Sequence, residues 1–281
     1  MNTLKVLNII SEQDPEIFDR IDTRRKAMHA FSGLGKKIAL ISAPFMLGTV
    51  LNKAYGQSPS SSVIDVLNFA LTLEYLEYEF YLKASSSAGL IPAGAATAAI
   101  TTIRDHELAH VNFLKTAITG SGGTPVAKPT FDFSGGNGTG TGPFAAAFSN
   151  YQLFLAVAQT LEDTGVRAYK GQAGNLINSD DVLEAALNIH SVEARHASHV
   201  RQMRKANNFG DVKPWITGKD TGGIGALVQA NYDGEELTTQ AGVNIINIGG
   251  QSISANAASE SFDEPLTTAQ VLALVDGFIA A

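Results

Sequence analysis

Two short stretches of this sequence have the residue types and spacing for metal chemistry: Glu107-Leu108-Ala109-His110 and Glu193-Ala194-Arg195-His196. Each is Glu-x-x-His. On a helix, positions i and i+3 share a face, so each stretch presents one carboxylate and one imidazole in the same direction. With 13 Glu and 6 His in 281 residues, chance alone gives roughly 0.3 such pairs. Two are present, and a lone Glu on a helix-spaced apolar stripe precedes each. Glu74 lies 33 residues before Glu107, and Glu162 lies 31 before Glu193. A tyrosine follows each lone Glu by seven residues, Tyr81 after Glu74 and Tyr169 after Glu162. The sequence therefore reads as a diverged duplication of a helix pair, offset by 88 residues in the Glu/Tyr helices and 86 in the Glu-x-x-His helices.

One Glu from each of two helices, with Glu-x-x-His from each of two others, is the ligand set of carboxylate-bridged dimetal four-helix bundles. Glu74, Glu107, His110, Glu162, Glu193 and His196 are the expected metal ligands. Four buried carboxylates repel one another and are costly without cations, and two divalent ions neutralise them. Glu107 and Glu193 are expected to bridge, with Glu74 and Glu162 terminal and one His per metal. Oxygen and imidazole donors suit iron or manganese better than soft metals. The alternative is a bundle that keeps these polar residues without metal.

Neighbouring residues are open to two readings each. Glu77 lies one turn from Glu74, and its repeat counterpart is Gly165. It is either a further ligand or proton carrier in the space that Gly165 leaves, or an exposed, salt-bridged Glu. Tyr81 and Tyr169 are either donors or radical relays beside the ligands, or core tyrosines with bonded hydroxyls. Arg104 and His190 are repeat equivalents, expected to pair with ligand carboxylates. His106 and His199 read as surface or outer-layer positions, and Asp163 as facing another helix or solvent.

Four helices must position this set. Val63, Val66, Leu67, Ala70, Leu71, Tyr78 and Tyr81 recur at helical spacing. The second helix is expected over about 95–119, the third over about 144–170, and the fourth over about 180–207 from a Ser179-Asp180 cap. Residues 120–142, rich in Gly, Thr and Pro, are the long crossover such a bundle needs. After 210 the pattern breaks. Two short strands are expected around Gly249-Gly250, then a fifth helix from Thr268 to Ile279. The expected fold is all-α: a four-helix bundle over 58–210 and an extension, 211–281, packing on it.

Composition narrows the function. A net charge of −7 gives no electrostatic reason to bind nucleic acid. The absence of cysteine excludes disulfides, thiolate catalysis and iron–sulfur clusters. Residues 1–57 read as an export leader of twin-arginine type. Arg24-Arg25 precede a 14-residue apolar run from Ile38 to Leu51, and Ala54-Tyr55-Gly56 is a small-x-small cleavage site before Gln57. The run is too short for an ordinary membrane span. Ala27 stands where a bulky apolar residue is usual, and a buried or amphipathic N-terminal helix is the competing reading. The expected location is the periplasm or cell envelope, with a membrane tether only if the leader stays uncleaved.

The sequence resembles the ferritin-like domain family that includes plant desiccation-related and fungal stress-response proteins. The resemblance rests on Leu-Asn-Phe-Ala-Leu-Thr-Leu-Glu-Tyr-Leu-Glu (67–77), Gly-Gly-Thr-Pro-Val-Ala-Lys-Pro (122–129), Leu-Glu-Asp-Thr-Gly-Val-Arg-Ala-Tyr (161–169), Glu-Ala-Arg-His (193–196) and Phe-Asp-Glu-Pro-Leu-Thr (262–267). It covers roughly 63–281 and implies a ferritin-like bundle with a C-terminal helical extension. The wider superfamily includes manganese catalases, rubrerythrins and ferritins, and this chain lacks rubrerythrin's cysteine-ligated iron domain. Three functions compete. The first is a peroxidase, catalase-like or ferroxidase enzyme in stress protection, with hydrogen peroxide or dioxygen as partner. The second is a non-catalytic desiccation-stress protein whose site is structural or empty. The third is iron storage. The long tail and crossover argue against a storage cage, while smaller homo-oligomers stay open.

Overall fold

The structure is a computed structural model that describes residues 61–280. The leader reading, with Arg24-Arg25 and the apolar run, lies outside the described residues. Four long helices form the bundle: α1 (Ser61–Ser86), α2 (Ala95–Gly120), α3 (Tyr151–Ala173) and α4 (Asp180–Ala206). The extension carries two short helices, α5 (Ala255–Ser259) and α6 (Thr268–Val275). It also carries a two-stranded antiparallel sheet, β1 (Thr239–Gln240) and β2 (Val243–Asn244). Among the described residues, no helix is long and apolar enough to cross a membrane.

Two apolar clusters set the helix directions. One holds Phe80, Tyr81, Ile100, Phe154, Leu155 and Val200; the other holds Leu67, Leu71, Leu114, Ile118, Val182 and Ile189. Every bundle helix passes from one cluster to the other, with its candidate ligands between. Along α1 and α4 the order is second cluster, ligands, first cluster. Along α2 and α3 it is the reverse. Thus α1 and α4 run one way and α2 and α3 the other, so the α2–α3 link must span the whole bundle. The crossover from Ser121 to Asn150 does so, as expected for this topology. Asn68 on α1 holds it, accepting from the Val126 amide at 2.7 Å and donating to the Thr124 carbonyl at 3.2 Å.

Helix ends explain two departures from the sequence reading. The third helix starts at Tyr151, not Phe144. Asn150 is extended and its side chain accepts from the Leu153 amide at 3.1 Å, so the helix is capped there. The hairpin turns at Ala241-Gly242, both at positive φ, and Gly249-Gly250 falls in a 3₁₀ turn. A two-residue hairpin needs positive φ at both central residues, and Gly242 supplies one of these without strain. The last helix ends at Val275 and continues as a 3₁₀ turn, Asp276–Phe278. It opens on a capping box in which Thr267 and Gln270 exchange side-chain and backbone hydrogen bonds.

The extension docks on α3. Arg167, 1% exposed, pairs with Glu235 Oε1 at 2.7 Å and donates to the carbonyls of Glu264 at 2.8 Å and Asp233 at 3.0 Å. One turn on, a Cβ at Gly171 would lie 1.9 Å from the Leu266 carbonyl oxygen, so only glycine allows the 264–267 segment this close. A second buried network joins Asp163, Arg201, Tyr232, Gln159 and Arg204, with Arg201 gripping Asp163 by both Nε and Nη2.

Candidate metal centre

Glu74, Glu107, Glu162 and Glu193 are fully buried, and His110 and His196 nearly so. Their helices bring them to one level of the bundle. His110 Nδ1 lies 3.1 Å from Glu74 Oε2, 3.1 Å from Glu107 Oε2 and 3.2 Å from Glu193 Oε1. His196 Nδ1 lies 2.7 Å from Glu107 Oε1 and 3.3 Å from Glu162 Oε2. Two compact donor sets result. One is Glu74, Glu107, His110 and Glu193; the other is Glu107, Glu162, Glu193 and His196. Glu107 and Glu193 belong to both, and Glu107 turns a different oxygen to each histidine.

The duplicated halves cross-brace. The Tyr81 hydroxyl on α1 donates to Glu162 on α3 at 2.5 Å, and the Tyr169 hydroxyl on α3 donates to Glu74 on α1 at 2.5 Å. Burial and the adjoining carboxylate push both phenols well up, so both stay protonated donors. Each fixes one oxygen of a terminal carboxylate and leaves the other turned inward.

The site is short of positive charge. Burial raises Glu74 to about 7, partly offset by His110. Burial raises Glu193 and Glu77 well above the usual carboxylate range, and neighbouring carboxylates add to it. Burial would also raise Glu107, but the hydrogen bond from His110 and the close approach of the His196 ring outweigh it and hold Glu107 at about 2. Burial would lower His196, but Glu162 and Glu107 carry it up to about 11; His110 is likewise raised against its burial by Glu107, Glu193 and Glu74. Even two imidazolium ions leave five buried carboxylates under-compensated. Moreover, Glu107 Oε1, Glu162 Oε2, both Glu193 oxygens and His196 Nδ1 are buried and make no well-aligned hydrogen bond, although a histidine nitrogen stands close to three of the carboxylate oxygens. Buried polar atoms are seldom left so. These five atoms lie on the residues of the two donor sets, which could hold metal ions.

The remaining candidates separate. Glu77 is buried, which overturns its exposed reading. A Cβ at Gly165 would lie 3.1 Å from Glu77 Oε1 and 3.2 Å from Glu193 Oε2, so the missing side chain admits both carboxylates. Arg104 and His190 do not pair with ligand carboxylates. Arg104 turns outward to Asp105, and His190 Nδ1 meets the Val166 carbonyl at 3.0 Å. Three residues before the ligand Glu, each sits a turn away at the bundle's edge. Asp163 faces α4 through Arg201, and His199 is exposed. His106 is exposed, yet its ring stacks on that of His196 and its Nδ1 lies 3.0 Å from His196 Nε2. The sequence signal for this contact was weak. The repeat equivalent of His106 is Val192, so symmetry could not point to it.

The fold and site together define a four-helix bundle with a buried carboxylate–histidine cluster that could hold metal ions. The ferritin-like domain family matches over residues 62–206, more than half of the chain, and the chain belongs to that family. No curated protein matches it.

Proposed function

We propose that this protein holds two divalent ions, iron or manganese, and that the pair acts on dioxygen or hydrogen peroxide in stress protection. The observation that carries the reading is the five donor atoms without a well-aligned hydrogen bond, on two donor sets that share Glu107 and Glu193. Glu74 and His110 would complete one set, and Glu162 and His196 the other. Bound there, such ions supply exchange of two electrons with a small oxidant. The chain's own groups do the rest. Tyr81 and Tyr169 hold the terminal carboxylates in place, and Glu77 places a fifth carboxyl beside Glu193, where it can hold or release a proton. His106 links the Nε2 of His196 to solvent. Without thiolates, no closed zinc site is favoured.

Two measurements test this reading. Elemental analysis of the protein purified from its native host should give two irons or manganeses per chain. Stopped-flow mixing of the Fe(II)- or Mn(II)-loaded protein with dioxygen or hydrogen peroxide should show oxidation or peroxide loss faster than the free ion gives. Metal without turnover would leave a structural site in a stress protein, and many irons per chain would restore the storage reading. We also propose export by the Arg24-Arg25 leader with cleavage before Gln57, which N-terminal sequencing of protein from the cell envelope would read directly. An intact Met1 on a cytoplasmic protein would overturn it.

A further inference from the structure

We propose that an apolar cleft at the α1–α4 end of the bundle is the path by which dioxygen reaches the metal centre; this rests on the redox reading above and selects its oxidant. All four bundle helices line the cleft. Ala70 and Leu73 come from α1, Leu114 and Ala117 from α2, Tyr169 from α3 and Ile189 from α4. Its inner wall adjoins the centre at four points. Leu73 precedes Glu74, Leu114 and Ile189 stand one turn from His110 and Glu193, and the Tyr169 ring carries the hydroxyl that holds Glu74.

The wall chooses the occupant. Its few polar side chains are engaged or lie at the mouth. Gln172 donates to Thr268 Oγ1 at 3.0 Å and accepts from Asn175 at 2.9 Å, the Tyr169 proton goes to Glu74, and Asp181 is exposed at the rim. A buried water needs two to four polar partners, and apolar cavities stay dry. Hydrogen peroxide, which must also keep its hydrogen bonds, gains nothing here. Dioxygen needs none. Size agrees: the cavity is about 30 Å³, where one water takes about 10–15 Å³ on the same measure. That admits a diatomic gas, and the apolar wall offers a hydrated cation no ligands. The reaction served is oxidation of two ferrous ions by one dioxygen, which takes two electrons and two protons from water and leaves as hydrogen peroxide.

Xenon is the probe, because it occupies apolar cavities of this kind. In the full chain under xenon pressure, the NMR signals of the Leu114 and Ile189 methyl groups should shift, and those of Val200, beyond His196 on α4, should not. Ala186→Phe, which places a ring at the half-buried outer wall, should abolish those shifts and slow oxidation of the Fe(II)-loaded protein by dioxygen about tenfold, with two Fe(II) still bound per chain. Ala186→Leu should do the same to a smaller degree if the larger ring unfolds the bundle. The proposal is overturned if xenon leaves these methyls unmoved, or if the variants exclude xenon yet react with dioxygen at the wild-type rate. If the wild-type protein takes up xenon and binds iron but reacts only with peroxide, the cleft has no role in dioxygen access. If it reacts with neither oxidant, the redox reading fails as well, while the xenon shifts still report the cavity.

Discussion

Every residue of α3 from Phe154 to Tyr169 is buried, whereas in the equivalent stretch of α1, Val66, Asn68, Phe69, Thr72, Tyr78 and Glu79 remain partly exposed. The two helices are repeats of one another, with the same Glu and Tyr seven residues apart. The difference comes from the segment that succeeds each helix pair. After α2 comes a crossover that packs on α1 at Asn68, Glu79, Phe80 and Lys83 but leaves part of its outer face open, and after α4 comes an extension that covers α3. Position 79 and its equivalent, 167, show the change. Glu79 pairs with Lys128 of the crossover near the surface, while Arg167 is enclosed by Glu235 and three carbonyls of the extension. A duplicated ligand set has kept its geometry while its two outer faces diverged. The centre therefore depends on residues that face inward and cross between the halves, not on the cover.

The strongest test of that equivalence is at the bridging carboxylates. Glu107→Ala and Glu193→Ala, one in each half, should each lose both ions by elemental analysis. Glu74→Ala and Glu162→Ala should each lose one. An asymmetric result, with one bridge dispensable, would break the symmetry of the two halves.

The two covers should differ in energy. Arg167→Ala leaves a buried Glu235 without its cation and should cost about 3–5 kcal/mol of unfolding free energy. Glu79→Ala removes a partly solvated pair and should cost less than about 1 kcal/mol. Urea melts of the two variants compare them directly. Equal losses would mean that the extension contributes no more than the crossover.

Gly165 and Glu77 are a place where the halves differ beside the buried carboxylates. Gly165→Ala adds helix propensity of about 1 kcal/mol, but its Cβ must push back the Glu77 or Glu193 carboxylate. Thermal stability should hold or rise while metal affinity falls, about tenfold by competition with a chelator. Unchanged affinity would show that the space serves no carboxylate.

The smallest effect is expected in the crossover. Amides of Ser134, Gly138 and Gly140 converge on Asp132. Hydrogen bonds from Ser134 and Gly140 lead in pulling its carboxyl down to about 2. Its folded pKa lies below the unfolded value of about 3.9. The stabilisation is therefore present above about pH 4 and lost as pH falls through 2. Hydrogen exchange of those amides should accelerate over that window, and Asp132→Asn should remove the pH dependence.

The buried cluster of Glu and His side chains was legible because acidic and imidazole side chains on an apolar stripe are conspicuous, and because the repeat supplied each residue with a partner. The family and the all-α bundle were legible for the same reason. Glu77 was not, because a carboxylate about 60° round the helix from Glu74 fits a solvent-facing edge as well as a buried one. Only the empty side of Gly165, from another helix, turns it inward. Arg104 and His190 misled because equivalence in a repeat says where a residue lies along a helix, not that it reaches the same neighbour. The extension was hardest to read. Arg167 is fixed by carbonyls 64 to 97 residues away and Gly171 by the Leu266 carbonyl, and no local period encodes such contacts. The hairpin slipped because glycine occurs at both turns, and the pair followed by Gln251 closes a 3₁₀ turn instead.

The placing of the centre between two packed apolar clusters has a consequence for supply. A hydrated cation cannot pass through hydrocarbon, so an ion held at that level leaves only as fast as the helices part. Carboxylate and imidazole donors discriminate poorly among divalent metals, and availability decides what such ligands hold. A metal held there would then be a record of what was available when the bundle closed, kept after the supply around the protein had changed.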